Sequence, residues 1–408
     1  GNSTFDVQLK AQKMDENYRI KDLNGDVSIL DGKASYTTKQ IDIDFDELHF
    51  TLSNTDMKIR GNRFKYQTDL FDFNTNIPNW IDVFLEKSQT ITVGGKMNFD
   101  MFTTSIWTDF FNKFDASEDT TSFVEVQINK LKLDVNTLHF NKALFHDVEI
   151  QHLELKEQID LHYIKAKGQG GDYYFENIKI NNLDDGYSIL TKGELNRISV
   201  DKLLYEFDDF EQTYINSNQI KGEISSAFKA SFFINPSKSF DLKSLTFNSD
   251  NSFQHVKLID YNYIAEIVDY FDESMITRNI VDIPYYKQKS KKIIFKPFRN
   301  NMSFKDGKLN ISPTYLENNM LNLNLKGTQT ISDSVDYYMS FNWKEIKKRN
   351  KKEKEDYLEE KEEIKELFLR ITGHIDDLNY RFDREKMKMQ RAETVSYTHL
   401  RAHETRNY

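Results

Sequence analysis

The chain contains no cysteine. This excludes disulfides, cysteine nucleophiles, Cys-ligated zinc and iron–sulfur clusters. It fits an oxidising compartment without requiring one. Glycine and proline are scarce, at 15 and 5 of 408 residues. Enzymes that cradle phosphates need glycine-rich loops at strand-to-helix turns, and there is little material here for them. No run reaches the roughly 18 to 20 apolar residues of a membrane-spanning helix, and no signal peptide is visible. The patterns G-x-S-x-G, H-E-x-x-H and G-x-x-x-x-G-K are missing, so an enzyme is not the expected class. Positive charge is outweighed, leaving a net charge of -10 at pH 7. Nucleic acid is therefore not an expected partner. A mean hydropathy of -0.68 is low for a compact enzyme of this length.

What the chain has in abundance is strand-forming residues. It carries 31 Phe and 21 Tyr, which together with Ile, Val and Thr favour β-structure. Alternation dominates. Ile41-Asp42-Ile43-Asp44-Phe45, Leu153-Glu154-Leu155 and Ile178-Lys179-Ile180 each put apolar side chains on one face of a ribbon. The same pattern assigns Val124, Val126, Ile128, Leu131, Leu133, Val135, Leu321, Leu323, Leu325, Tyr337, Met339 and Phe341 to one apolar side. Glu125, Gln127, Lys132, Asp134, Asn322, Asn324, Tyr338 and Ser340 fall on the other. Asn24-Gly25, Asp31-Gly32, Asp185-Gly186 and Asp306-Gly307 suit type I′ hairpin turns. Amphipathic spacing predicts helices near 78–87, 104–114 and 259–271. The expected fold is mainly β: an elongated, curved antiparallel sheet, a meander or groove, with a few short amphipathic helices. The helices are too few to cover every sheet face.

Several weaker signals resolve into bland readings. Asp22-Leu23-Asn24-Gly25-Asp26 hints at a calcium loop, but Val27 stands where an EF-hand needs glycine, so a hairpin turn is the better reading. His152 and His162 flank one predicted hairpin; without a third ligand they read as surface histidines. Asp184-Asp185, Asp208-Asp209 and Asp376-Asp377 sit at turn signals, where adjacent carboxylates do not form an acid–base pair. No metal or other cofactor is expected. The block 344–365 is dominated by charge, basic first and acidic after, which opposes the helix macrodipole and predicts a solvated insertion.

The order of the motifs resembles the AsmA-like proteins. Val124 to Leu133, His139-Phe140, Phe145 to Ile150, Leu153-Glu154-Leu155 and Ile164 to Gly171 resemble that family's sheet repeat. Ile198 to Leu204, Phe207, Phe210 and Ile220-Lys221-Gly222-Glu223-Ile224-Ser225 resemble its run into the C-terminal region. Met302 to Pro313, Asn319-Met320, Leu321 to Leu325, Gly327, Asp336-Tyr337-Tyr338, Glu366 to Ile375 and Asn379 to Asp383 resemble its closing strands. The resemblance covers roughly residues 1–390; the family's N-terminal anchor and helical cap are not matched.

It implies a Gram-negative, periplasmic, non-enzymatic protein, anchored in the inner membrane in its intact form through a segment outside this chain. The implied role is outer-membrane biogenesis or intermembrane phospholipid transport, with acyl chains held in an apolar β-groove by the twelve residues above and envelope proteins as further partners. The alternative is an envelope scaffold or surface β-protein with a closed core and no lipid. The expected division is 1–122 and 123–235 as successive parts of the sheet, 236–390 as the C-terminal region, and 391–408 as a tail. The chain reads as a fragment, because it opens at Gly1 within strand-like sequence. Val395 to Thr405 resembles translated sequencing-adapter DNA, so 395–408 is set aside from the functional reading.

Overall fold

The computed structural model describes residues 2–14, 17–85, 88–115, 125–156, 158–183, 185–211, 214–235, 240–346 and 366–386. The chain divides into two compact units, Gly1–Asn196 with Phe233–Phe240, and Arg197–Phe232 with Asp241–Tyr408. Both are mainly β, with short helices. The charge-rich 347–365 and the tail from 387 lie outside the described residues.

The first unit carries strands β1 (Asn2–Met14), β2 (Asn17–Tyr36), β3 (Ile41–Leu52), β4 (Met57–Tyr66), β5 (Asp69–Ile77), β6 (Thr90–Thr103), β7 (Glu125–Phe140), β8 (Ala143–Leu155), β9 (Gln158–Gly168), β10 (Gly171–Leu183) and β11 (Gly186–Ser199). Consecutive strands pair, as the alternation predicts. One pair departs from the expected antiparallel meander: β6 and β7 run parallel. Parallel neighbours need a crossover of a dozen or more residues. Helix α2 (Thr104–Asp115) follows β6 and begins that connection. Helix α1 (Trp80–Phe84) precedes β6.

Two of the four expected turns are not turns. Asn24-Gly25 and Asp31-Gly32 lie inside β2, which also removes the calcium-loop reading. Their glycines answer a different need. A Cβ on Gly25 would meet the Val7 Cα at 2.8 Å, and one on Gly32 would stand 2.2 Å from the Phe45 ring. Close approach of neighbouring strands, not chain reversal, requires glycine there. Asp306-Gly307 does turn, between β15 (Phe298–Lys305) and β16 (Lys308–Leu316), with φ 52° and 71°. Asp185-Gly186 falls at the β10–β11 hairpin, where Leu183 pairs with Gly186.

The core of the first unit is an aromatic file. Phe45 stacks on Phe64 at 4.8 Å, Phe71 on Phe99 at 5.2 Å, and Phe99 meets Trp107 of α2 at 5.5 Å. Asp69, fully buried, ties α2 to the sheet. Its carboxylate accepts from Trp107 Nε1 at 2.9 Å, Thr103 N at 2.7 Å and Thr103 Oγ1 at 3.0 Å. A buried carboxylate survives only with such donors.

The second unit holds α3 (Val200–Glu206), β12 (Ile220–Ile234), β13 (Phe240–Ile259), α4 (Asn262–Glu273), α5 (Ile283–Ser290), β14 (Lys292–Ile294), β15 and β16, β17 (Leu323–Thr330), β18 (Ser334–Asn342), α6 (Trp343–Ile346), β19 (Glu366–His374) and β20 (Asp377–Phe382). From β13 onward, strands pair antiparallel in chain order, with β14 a short partner of β13. Helices α1, α2 and α4 fall within or beside the predicted spans, although residue 259 still belongs to β13. Helix α5 was not expected; Asp282 caps it, accepting from Tyr285 N, with proline in its first turn. The expected solvated insertion does not begin at 344: residues 344–346 belong to α6, and Ile346 is fully buried. Phe271, Val268 and Val281 pack on Phe341, Leu369 and Phe382, forming the core of this unit.

Candidate functional site

In the first unit, register lines the apolar residues into one row. Ile29 pairs with Leu48, Leu48 with Gly61, and Gly61 with Phe73. Phe73 pairs with Met97, Met97 with Leu133, Leu133 with Ile150, and Ile150 with Ile164. Phe175 extends the row beyond Ile164 and ends beside Gly193. Every large side chain in this row is half-buried. Among the described residues, α2 packs on the sheet at Phe71, Phe99 and Tyr66, at one end of these strands, and no second layer covers the row.

The expected lipid-facing residues of β7 belong to this face. Val126 pairs with Ile91, Ile128 with Val93, Leu131 with Gly95, Leu133 with Met97 and Val135 with Phe99. Leu131 and Val135 are buried, Ile128 and Leu133 half-buried, and Val126 is 54 % exposed. Val124 lies outside the described residues. Even-numbered and odd-numbered residues share a face because the register slips between Ile128 and Leu131. Lys130 takes φ 55° there, a bulge whose extra residue resets the alternation. The same device recurs at Arg63 in β4, whose freed N–H donates to the Asp72 carboxylate at 2.7 Å.

The opposite face is polar. Lys96 pairs with Asp134 at 2.7 Å, and Lys132 bridges Asp134 at 3.4 Å and Glu149 at 3.1 Å. Glu149 also accepts from Gln151 at 2.6 Å and from Tyr163 at 3.0 Å. These bonds, Gln151 first and then Lys132 and Tyr163, hold its carboxyl down at about 2. Gln127 donates to Glu125 at 3.2 Å on this side. His152 and His162 approach to 5.7 Å between ring centres. No group of three His, Asp or Glu able to hold a metal occurs among the described residues. Asp376 and Asp377 stand at the β19–β20 turn; Asp208 and Asp209 stand just after α3.

In the second unit the corresponding face is not open. All six expected residues, Leu321, Leu323, Leu325, Tyr337, Met339 and Phe341, line a cavity of about 270 Å³ beneath α4. Leu321 and Phe341 are buried and the other four half-buried. Leu325 pairs with Met339, and these two belong to the floor. Helix α4 contributes Ile264, Ile267 and Phe271 as the roof. On the far face Arg370 forks onto Asp336, with both N–H···O distances 2.9 Å, and its guanidinium lies 5.0 Å from the Tyr338 ring centre. Asn322 does not simply face water: it donates from its backbone and side chain to Glu345 of α6.

The alternation did not reveal three of the four tyrosines on this cavity, Tyr261, Tyr263 and Tyr380. Tyr261 and Tyr263 flank the start of α4, their rings 5.4 Å apart, and Tyr337 and Tyr380 join them. Tyr337 donates to Gln329 at 2.9 Å and Tyr380 to Glu266 at 2.7 Å. Burial pushes the Tyr337 hydroxyl up to about 12 and raises those of Tyr261 and Tyr380 further. The Tyr261-Asn262-Tyr263 triplet preceding an amphipathic helix was the available signal.

No family model, no curated protein and no solved structure matches this chain.

Proposed function

We propose that this chain is a non-enzymatic lipid-holding protein of the bacterial envelope, and that acyl chains lie on the apolar face of the first unit. One observation carries the reading. A row of half-buried apolar side chains, interrupted at Gly61, runs from Ile29 to Phe175, with no second layer over it among the described residues. An amphipathic sheet must cover such a face with another sheet, with helices or with something apolar from outside. Acyl chains suit it because they gain about 0.8 kcal/mol per buried methylene and need no polar partner. The row offers no charged group to a lipid; its charges lie behind, in the Lys96–Asp134–Lys132–Glu149 network.

The cellular assignment rests on the order of the AsmA-like motifs. It comprises a periplasmic position, an inner-membrane anchor outside the chain, phospholipid as cargo, envelope proteins as partners, and service in intermembrane transport or outer-membrane assembly. The scaffold reading draws on the second unit, where α4 and α5 close the face with protein. A phospholipid bearing a diazirine near its acyl terminus tests the choice. Photolysis should label Phe73, Met97 or Leu133 and spare Lys132 and Glu149. Labelling confined to the polar face, or none at all, refutes the lipid-holding reading.

A further inference from the structure

We infer that the cavity beneath α4 is a separate binding site for a single alkyl chain carrying an uncharged or cationic polar head, with the head among Tyr261, Tyr263 and Tyr337. The inference concerns the second unit alone and stands whether or not acyl chains occupy the first.

Size sets the chain number. At about 270 Å³ the cavity lies just below the ~300–1,000 Å³ of ordinary small-molecule pockets. It is nearly twice the ~150 Å³ apolar cavity that stays dry and takes up benzene. One alkyl chain of modest length fits; a two-chain phospholipid does not. The lining sets the chemistry of the chain, since apart from the tyrosines and Asn318 it is wholly apolar. Asn318 is spoken for: its carbonyl accepts from Met320 N and Leu321 N, and its amide donates to the Leu321 carbonyl.

The polar end is built from tyrosine. Tyr261 and Tyr263 precede and open α4, while Tyr337 stands near the start of β18. These positions put hydroxyls at the hairpin end of the cavity, away from Phe271 and Phe341, which close the other. Tyr337 already donates to Gln329. The Tyr261 and Tyr263 hydroxyls make no hydrogen bond among the described residues, although they are drawn into a partly buried site. Unmade hydrogen bonds beside an apolar cavity favour a ligand that supplies the partner.

Charge chooses the head. Carboxylates stand at this end: Glu266 accepts from the Tyr380 hydroxyl, Asp333 lies in the turn between β17 and β18, and Asp376 lies in the turn between β19 and β20. The start of α4 opposes them with only about half a positive charge. A fatty-acid anion would meet net repulsion; an alcohol or amide would not. An alkylammonium would gain from the carboxylates and from the π-faces of Tyr261 and Tyr263.

Calorimetric titration of the full chain with 1-decanol, decyltrimethylammonium and decanoate, each below its aggregation concentration, tests the site. The first two should bind, with decanoate at least tenfold weaker. Met339→Trp fills the cavity and should weaken 1-decanol at least tenfold. Tyr261→Phe leaves the walls intact and should weaken it severalfold, so the test survives if the tryptophan variant misfolds. Leu133→Asp, on the first unit, should bind 1-decanol as the parent does, whatever it does to phospholipid. Three results overturn the inference: none of the probes binds, decanoate binds as tightly as 1-decanol, or folded Met339→Trp and Tyr261→Phe both bind unimpaired.

Discussion

A carboxylate placed at Leu133 should behave unlike one placed at Leu369. Leu133 is half-buried between Met97 and Ile150 on the face of the first unit. Burying a leucine fully is worth about 1.5–3 kcal/mol, so replacing a half-buried one removes roughly 1 kcal/mol. In the lipid-free protein the new carboxylate reaches water and adds little to that loss. Leu369 is 0 % exposed, between Met339 and Phe382 under the α4 layer. There the cavity cost of deleting a core leucine, about 2–5 kcal/mol, combines with several more for an unsolvated charge. Leu369→Asp should therefore cost more than about 5 kcal/mol and unfold the second unit. Urea denaturation of lipid-free Leu133→Asp and Leu369→Asp, followed by circular dichroism, reads the difference. Comparable losses at the two positions would mean that the first face is dry and covered, and the open-face account would fail.

Three further outcomes follow from the same packing. Asp69→Ala should cost about 3 kcal/mol or more by stranding the Trp107 indole and the Thr103 amide, read as a lowered denaturation midpoint with blue-shifted tryptophan emission lost. Gly95, with φ 130°, would place a Cβ 2.3 Å from the Asn74 carbonyl oxygen, so Gly95→Ala should lower the thermal midpoint. Gly170→Ala meets no such atom, and with φ 84° its only penalty is conformational, about 1 kcal/mol, so it should lower the midpoint less. Glu149 has its folded pKa depressed to about 2 from the usual 4.5, so its contribution is present above about pH 4.5 and is lost as pH falls toward 2. Its side chain is 30 % exposed, and solvent screening reduces the contribution to about 1 kcal/mol. The stability gap between parent and Glu149→Gln should shrink over that window, and a carboxyl titrating near 4.5 by NMR contradicts the network.

The alternation of apolar and polar residues was enough to read the β class and the two faces of β7 around Leu133. Leu131, Leu133 and Val135 lie opposite Lys132 and Asp134 as the period of two demands. It also assembled six residues that line one cavity. What local pattern could not carry is tertiary. The bulge at Lys130 joins two runs of opposite parity, and nothing in the Asn129-Lys130 pair signals a positive φ. Gly25 and Gly32 look like hairpin glycines, but their reason lies in Val7 and Phe45 on neighbouring strands. The parallel β6–β7 pair follows from where α2 returns the chain, and the roof over Met339 comes from a helix more than sixty residues earlier in sequence. Helix α5 is legible in the Asp282 cap and Pro284 of its first turn.

The apolar row of the first unit is proposed to hold acyl chains. The full chain, produced in a Gram-negative host and purified without detergent, should carry phospholipid detectable by native mass spectrometry. Leu133→Asp should remain folded and lose most of it. A lipid-free parent protein, or a folded Leu133→Asp that retains the parent's full lipid load, contradicts the claim.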